Sequence, residues 1–568
     1  MVLIIRDLMN KKVKLIIALV VVFAVLFTSV FSLIVPLPKT EKQLAELFDI
    51  CKDYQVSDKL YVIDSATFKS TEERHLAVSL QGIVAKVEPQ IFIITNEISY
   101  DYLDIISKDG IKLIFNDSKG EPWTVETLLE KFKPYITDYG YVLYRSSEKA
   151  EGLNAATNLA ALYGWLPVPL ELKSLAEECK LELKEDFSDD EYNLKFQKDF
   201  FKKYKEEFKY DAIVSSRYEW SGLRDLAIQL GFYTIYIDED EDSASLREKI
   251  LDYAGPGTTV LGWAKYEKWY VSQASKNGGM VIPTDHCHNN SFLASFKCDI
   301  PEQKHNKTKK YIDTSKHYVA IVFSDGDNVQ WLQNGFEEYF DKLSLEEQFP
   351  MTWTVSPSLQ EFSSVTSQII NSASTVNDYF IEGVSGAGYV NPTKYRLSAL
   401  DDFTDVTASA MLKSGLNYVS ILDSTPDNII EDKVLEHRLE YYARYDNIKG
   451  GVLSLDPDKY QGGEGKVYFV NGKPFVSNRL SLWHPDGEDA LVTEEWLKEQ
   501  ADIVNSYPAD METINGYSVI NVHPWSISVE NLSYFVSQLD EDVQLVTLDE
   551  LLTLVENNVP HETATPDK

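Results

Sequence analysis

The sequence predicts an α/β protein: a parallel-sheet α/β domain followed by a (β/α)-barrel-like domain, the whole preceded by a transmembrane helix. Three observations lead there. Short apolar runs of four to seven residues alternate with helical patterns along nearly the whole chain. A polar stretch, PEQKHNKTKKYIDTSKH (301–317), splits that alternation in two. The N-terminus carries a long uncharged apolar segment. At 568 residues the chain is also too long for one ordinary core.

The elements follow in order. Arg6, Lys11, Lys12 and Lys14 precede residues 15–37, LIIALVVVFAVLFTSVFSLIVPL, which hold no charge. About 20 such residues cross a hydrocarbon core. No A-x-A cleavage site follows, so an uncleaved signal anchor is favoured over a cleaved leader. The basic flank puts the N-terminus in the cytoplasm and everything after residue 38 outside, so residues 1–38 read as a cytoplasmic basic tail and transmembrane signal anchor of a single-pass protein of the cell membrane. LYVID (60–64) reads as a strand. Ser70 and Glu73 offer a capping box for a helix carrying Leu76, Leu80, Ile83, Val84 and Val87. PQIFII (89–94) completes a strand–helix–strand unit. IKLIF (111–115), YVLY (141–144), an alanine-rich helix near 153–163, YDAIVSS (210–216), FYTIYID (232–238) and TTVLGW (258–263) continue the series to residue 300. Residues 39–300 therefore read as one α/β domain and 301–317 as a linker.

A second series fills 318–558: YVAIVF (318–323), MTWTVS (351–356), YFIEGVS (379–385), NYVSILDS (417–424), GVLSLD (451–456), FVSNRLSLW (475–483), YSVINVH (517–523) and VQLVTL (543–548). Thr547 and Glu550 cap the last helix, and 559–568 read as a disordered tail. Eight strands alternating with helices suggest a barrel, complete or distorted.

Composition excludes one class of partner. The formal charge is −35, so nucleic acid is repelled. Four cysteines with no C-x-x-C give no thiolate metal site, and two inert thiols are the simpler reading of Cys287 and Cys298.

In a parallel barrel the chemistry sits at the C-terminal strand ends. Those ends carry Asp325, Asp327 and Asn328 with Trp331 beyond them, then Glu382 and Ser385, Asp423, and finally His523 and Trp525. SGAGYVNPTKY (385–395) adds a loop with Gly386, Gly388 and Tyr389, where backbone could approach a ligand and the ring could stack. In the first domain, TDHCHNN contributes Asp285 and Asn289 if the two domains share a cleft.

SGAGYVNP resembles the signature of the GxGYxYP glycoside hydrolase family, with Asn391 where the family name has its second tyrosine. LYVIDSATFKSTEERHLAVSLQGIVAKVEPQIFI, GMVIPTDHCHNNSFLASF, FSDGDNVQW and GYSVINVHPWSISVENLSYFV resemble successive parts of the same family. The resemblance implies an N-terminal α/β domain, a C-terminal barrel-like hydrolase domain and a carbohydrate substrate.

Glycosidases pair a protonated carboxyl with an ionised one. Asp325, Asp327 and Glu382 are the catalytic candidates on that ground, with no cofactor and no metal expected. A metal-dependent polysaccharide deacetylase is the alternative, since FSDGDN resembles the aspartate motif of those enzymes. It needs two spaced histidines, and the chain has no H-x-x-x-H; His286 and His288 precede the linker. A non-catalytic surface carbohydrate-binding protein is the remaining reading. The hhhhDxD pattern also fits a phosphatase nucleophile or a nucleotide-sugar metal site, but the strand order after it suits neither fold.

Overall fold

The computed structural model describes residues 37–44, 47, 49–51, 54–147, 149–237, 241–304, 313–336, 349–457, 459–484, 487 and 491–560. Residues 15–36 of the expected membrane segment, the middle of the linker and residues 561–568 lie outside the described residues. Among the described residues no helix is long and apolar enough to cross a membrane. The body begins at once after that segment: Lys39 pairs with Asp405, and Leu44 is buried in the main core.

The first half holds three small parallel sheets, not the single one expected. β1 (Lys59–Asp64) lies between β2 (Ile91–Ile94) and β3 (Lys112–Ile114). β4 (Gly140–Tyr144) lies between β5 (Leu166–Pro169) and β6 (Glu182–Asp186). The third sheet runs β10-β9-β7-β8, from β7 (Ala212–Ser215), β8 (Tyr233–Ile235), β9 (Thr259–Gly262) and β10 (Met280–Ile282). The helix Thr71–Ala85 explains the division. Ser70 caps it, accepting from the Glu73 N–H, and most of its residues are buried on every side. A helix apolar all round needs partners all round. It packs on the strand Leu166–Pro169 and on helix Arg224–Leu230, where a Cβ on Gly82 would stand 2.6 Å from the Asp225 carbonyl oxygen.

β5 and β6 are edge strands, and this is why their sequences hide them. LPVP carries two prolines and ELKED is mostly charged, both of which suit an edge that must not pair further.

The second half follows the expected order of strands. β11 (His317–Phe323) is its centre, with β12 (Met351–Val355) and β13 (Asp378–Glu382) on one side. A second sheet holds β14 (Val419–Asp423), β15 (Gly451–Leu455), β16 (Val467–Val470) and β17 (Lys473–Ser477). β18 (Leu480–Leu482) and β19 (Tyr517–Val522) complete the first sheet, and β20 (Val543–Val546) pairs beside it. These ladders are two sheets rather than one continuous eight-stranded barrel. β20 pairs with His317–Ala320 of β11, while β12 takes Val322 and Phe323. Between the sheets the Glu382 N–H donates to Tyr418 O at 2.9 Å and Ser385 N–H to Ser420 O at 2.7 Å. On the other side Arg479 N–H donates to Val519 O at 2.9 Å.

The single strand expected over 475–483 is two strands. β16 and β17 form an antiparallel hairpin through Asn471-Gly472, both at positive φ, the pairing such tight turns favour.

Candidate active site

Two cavities stand out among the described residues. The larger, about 600 Å³, lies beneath residues 298–303, against Tyr379, Phe380 and residues 412–417. The smaller, about 200 Å³, opens at the C-terminal ends of β11, β14 and β19 and against the third sheet. The carboxyl groups gather at the smaller one.

Its floor is built by the turn after β11. Gly326 sits so close to the end of β12 that a Cβ would stand 1.7 Å from the Thr354 carbonyl oxygen, so only glycine fits. Its N–H donates to Thr354 Oγ1 at 2.9 Å, and that hydroxyl donates to Phe323 O at 2.7 Å. Asp325 takes the left-handed conformation, φ 68°, which turns its carboxylate toward the rim. Its Oδ1 accepts from Trp525 Nε1 at 3.1 Å and its Oδ2 from Ser324 Oγ at 2.6 Å. Asn328 N–H closes the turn on Asp325 O at 3.0 Å.

Asp327 and Glu267 line the same space. Burial raises the Asp327 carboxyl well above the usual carboxylate range, and the negative charges of Asp325 and Glu267 push it further. Glu267 is raised to about 7, chiefly by burial and then by repulsion from Asp325 and Asp456; a hydrogen bond from Tyr389 and the charge of Lys268 pull the other way. The Tyr389 hydroxyl donates to Glu267 Oε1 at 2.9 Å.

Aromatic rings wall the cavity. Trp263 stacks on Tyr389 with centroids 6.4 Å apart at 20°. Trp483 lies flat on His523, at 3.8 Å and 3°. His523 Nδ1 is 3.0 Å from Ser526 Oγ. Trp525, 42% exposed, forms the outer lip with Trp331 edge-on behind it at 5.3 Å.

Of the residues expected at a site, the structure brings together Asp325, Asp327, Asn328, Tyr389, His523 and Trp525. Glu382 is elsewhere, and its position corrects the expected pair. It is fully buried, its Oε1 accepting from Gly386 N–H at 2.7 Å and its Oε2 from Ser420 N–H at 3.1 Å. It stitches the glycine loop to β14 and does not line the cavity. Ser385 likewise donates to Leu422 O and accepts from Leu422 N–H.

Gly386, at φ 135°, packs on Thr407 and Phe403, and Gly388 against Val281 O. That loop serves to pair Tyr389 with Val281 of β10, at 2.7 and 3.0 Å, so its glycines meet protein and not ligand. Asp423 is buried, accepts from Thr393 N–H at 2.8 Å and is raised by burial to about 7. Trp331 stacks on Phe323 behind the wall.

Asp285 and Asn289 also stay off the cavity. Asn289 Oδ1 accepts from Gln81 Nε2 and Ile93 N–H, both at 2.8 Å, tying the third sheet to β2. Asp285 is buried and raised to about 7 by that burial. The domain containing these two nevertheless does reach the site, through Trp263, Glu267 and Pro283.

Sequence reasoning missed Trp263 and Glu267, although a signal was present. They follow the end of β9 just as His523 and Trp525 follow the end of β19. Trp483 and Tyr460, also on the cavity, follow β18 and β15. Cys287 and Cys298 are thiols, without a bridge between them.

Among the described residues the one group of three acids, histidines or cysteines with ligand atoms within 4.8 Å of one another is Asp401, Asp402 and Asp405. It lies on helix Leu397–Ser414, and Asp405 is already held by Lys39 and by the Tyr445 hydroxyl at 2.6 Å.

Residues 315–556 match the GxGYxYP putative glycoside hydrolase C-terminal domain, and residues 212–295 match the GxGYxYP third domain. No curated protein matches the chain significantly. Among solved structures, a putative hydrolase from Bacteroides thetaiotaomicron superposes with a TM-score of 0.78 at 25% identity, covering 91% of this chain and 98% of its own. A putative polysaccharide deacetylase from Mycobacterium smegmatis gives a TM-score of 0.30 at 12% identity, over 47% of this chain and 100% of its own. With two domains matched and the glycine loop of the one paired to β10 of the other, the chain belongs to the GxGYxYP putative glycoside hydrolase family.

Proposed function

We propose that the chain hydrolyses glycosidic bonds in the 200 Å³ cavity, with Asp327 as general acid and Asp325 as the ionised partner. Two carboxyls in unlike surroundings support this reading. Asp327 is driven toward its protonated form by burial and by two neighbouring acids. Asp325 accepts two hydrogen bonds, from Trp525 and Ser324, which fix its carboxyl beside the same cavity. A protonated and an ionised carboxyl beside one ligand space are what glycosidic cleavage uses. Trp263, Tyr389 and Trp483 offer apolar faces to a sugar ring.

Asp327 then donates its proton to the departing glycosidic oxygen while Asp325 either attacks the anomeric carbon or activates a water. Asn328, His523 and Trp525 line the same space and contact the substrate. The test is release of reducing sugar from a panel of polysaccharides by wild type and by Asp327→Asn. Release that survives the substitution removes Asp327 from the reaction, and acetate freed from an acetylated polysaccharide with no reducing sugar, and abolished by a chelator, points to the deacetylase-like, metal-dependent alternative. Binding with no release from any glycan marks a binding protein.

In this reading residues 15–37 hold the protein in a membrane, N-terminus inside and body outside. The uncharged run after Arg6, Lys11, Lys12 and Lys14 supports it. Alkaline carbonate extraction of cell membranes checks it: the chain stays with the lipid pellet, and recovery in the wash contradicts the anchor.

A further inference from the structure

We propose that the cavity takes a single terminal sugar residue bearing a protonated amine, a 2-amino-2-deoxyhexose at a chain end, and turns away uronic acids. The proposal rests on the hydrolase reading above and adds the class of substrate.

Size argues for one residue. At about 200 Å³ the cavity is smaller than the roughly 300–1,000 Å³ of pockets that hold drug-sized ligands. A cavity of that size suits one pyranose ring.

Charge argues for the amine. Glu267, Asp325 and Asp327 all face this space, while among the described residues no lysine or arginine lines it. Lys268 is engaged by Asp456 at 3.1 Å and by Asn428 at 2.7 Å. Lys459 lies over the Trp483 ring and donates to His484 O. The three acids repel one another, as the raised Asp327 and Glu267 show, and a cation in their midst relieves that repulsion.

Two further features separate an organic cation from a bare ion. The oxygens of these three acids do not form a close ligand triple; the described triple is on helix Leu397–Ser414. Trp263, Tyr389 and Trp483 line the same space, and aromatic rings of this kind attract an ammonium group where a bare metal ion would seek oxygen ligands. A uronate carboxylate would instead meet these acids with no lysine or arginine among the described lining residues to offset it.

The experiment is calorimetric titration of the full-length protein in detergent at pH 7 with methyl glucosaminide, methyl glucoside and methyl glucuronide, repeated on Glu267→Gln. The glucosaminide is expected to bind at least tenfold more tightly than the glucoside, the glucuronide to show no binding, and the preference to shrink in Glu267→Gln. Equal binding of glucoside and glucosaminide, or binding of the glucuronide, overturns the proposal. If in addition neutral or acidic substrates are cleaved and Asp327→Asn abolishes that cleavage, the hydrolase reading stands while the amine preference falls. If no sugar of any class binds or is cleaved, both fall.

Discussion

Two glycine-bearing turns, FSDGDN after β11 and SGAGY after β13, look alike in the sequence and behave in opposite ways. Each follows a buried strand and each has a carboxyl beside a glycine that cannot accept a Cβ. In the first, the glycine packs on β12 and frees both aspartates to face a cavity. In the second, the carboxyl of Glu382 turns back and spends both oxygens on backbone N–H groups. What separates them is where the backbone donors point. A carboxyl surrounded by unpaired N–H groups becomes a structural staple; one facing aromatic rings and other acids stays available for chemistry.

That contrast can be broken by substitution, beginning with the largest effect. Asp327→Asn should lower the rate of sugar release by about a thousandfold, the order expected for loss of a general acid, with no fall in melting temperature at neutral pH. Kinetics alongside a thermal melt check it, and a rate within a few-fold of wild type would erase the difference between the turns. Glu382→Ala should do the reverse. Two buried N–H groups lose their acceptor and a cavity opens, at a cost of about 3–5 kcal/mol in a denaturant titration, while the rate per folded molecule changes little. Gly386→Ala should cost about 3 kcal/mol through its φ of 135° and its contact with Thr407.

The pH dependence sharpens the contrast from a third residue. Glu267 is raised from its ordinary value to about 7, so between roughly pH 4.5 and 7 the folded chain holds a proton that the unfolded chain has released. Its contribution therefore favours folding at low pH, declines across that window and is level above it. Glu267→Gln should remove this slope and add about 2 kcal/mol at pH 8, a figure reduced for the water the cavity admits. Urea titrations at pH 5 and pH 8 measure it. Asp285 and Asp423, also near 7, slope the same way and are untouched by the substitution. Tyr389→Phe should have the smallest effect, about 1 kcal/mol, from one lost hydrogen bond to Glu267.

Most of the second half was legible from hydrophobic runs, because most strands there are buried on both faces and end in a polar turn. Three edge strands were not: LPVP carries two prolines, ELKED is mostly charged and VYFV pairs on one side only. At the site, the strand-end rule picked out Asp325, Asp327, His523 and Trp525, which line one cavity. It overreached at Glu382, Ser385 and Asp423, whose side chains point into backbone, and nothing in their spacing reveals that orientation. It fell short at Trp263 and Glu267 because they belong to the other half of the chain. Their convergence depends on the pairing of Tyr389 with Val281, a contact between residues far apart in sequence.

The two cavities offer the most direct test of the central assignment. A crystal structure of Asp327→Asn soaked with a glycan that the wild type cleaves should show a sugar ring against Trp263, Tyr389 and Trp483, with its glycosidic oxygen toward residue 327. Sugar density in the larger cavity beneath residues 298–303, with the smaller one empty, would contradict it.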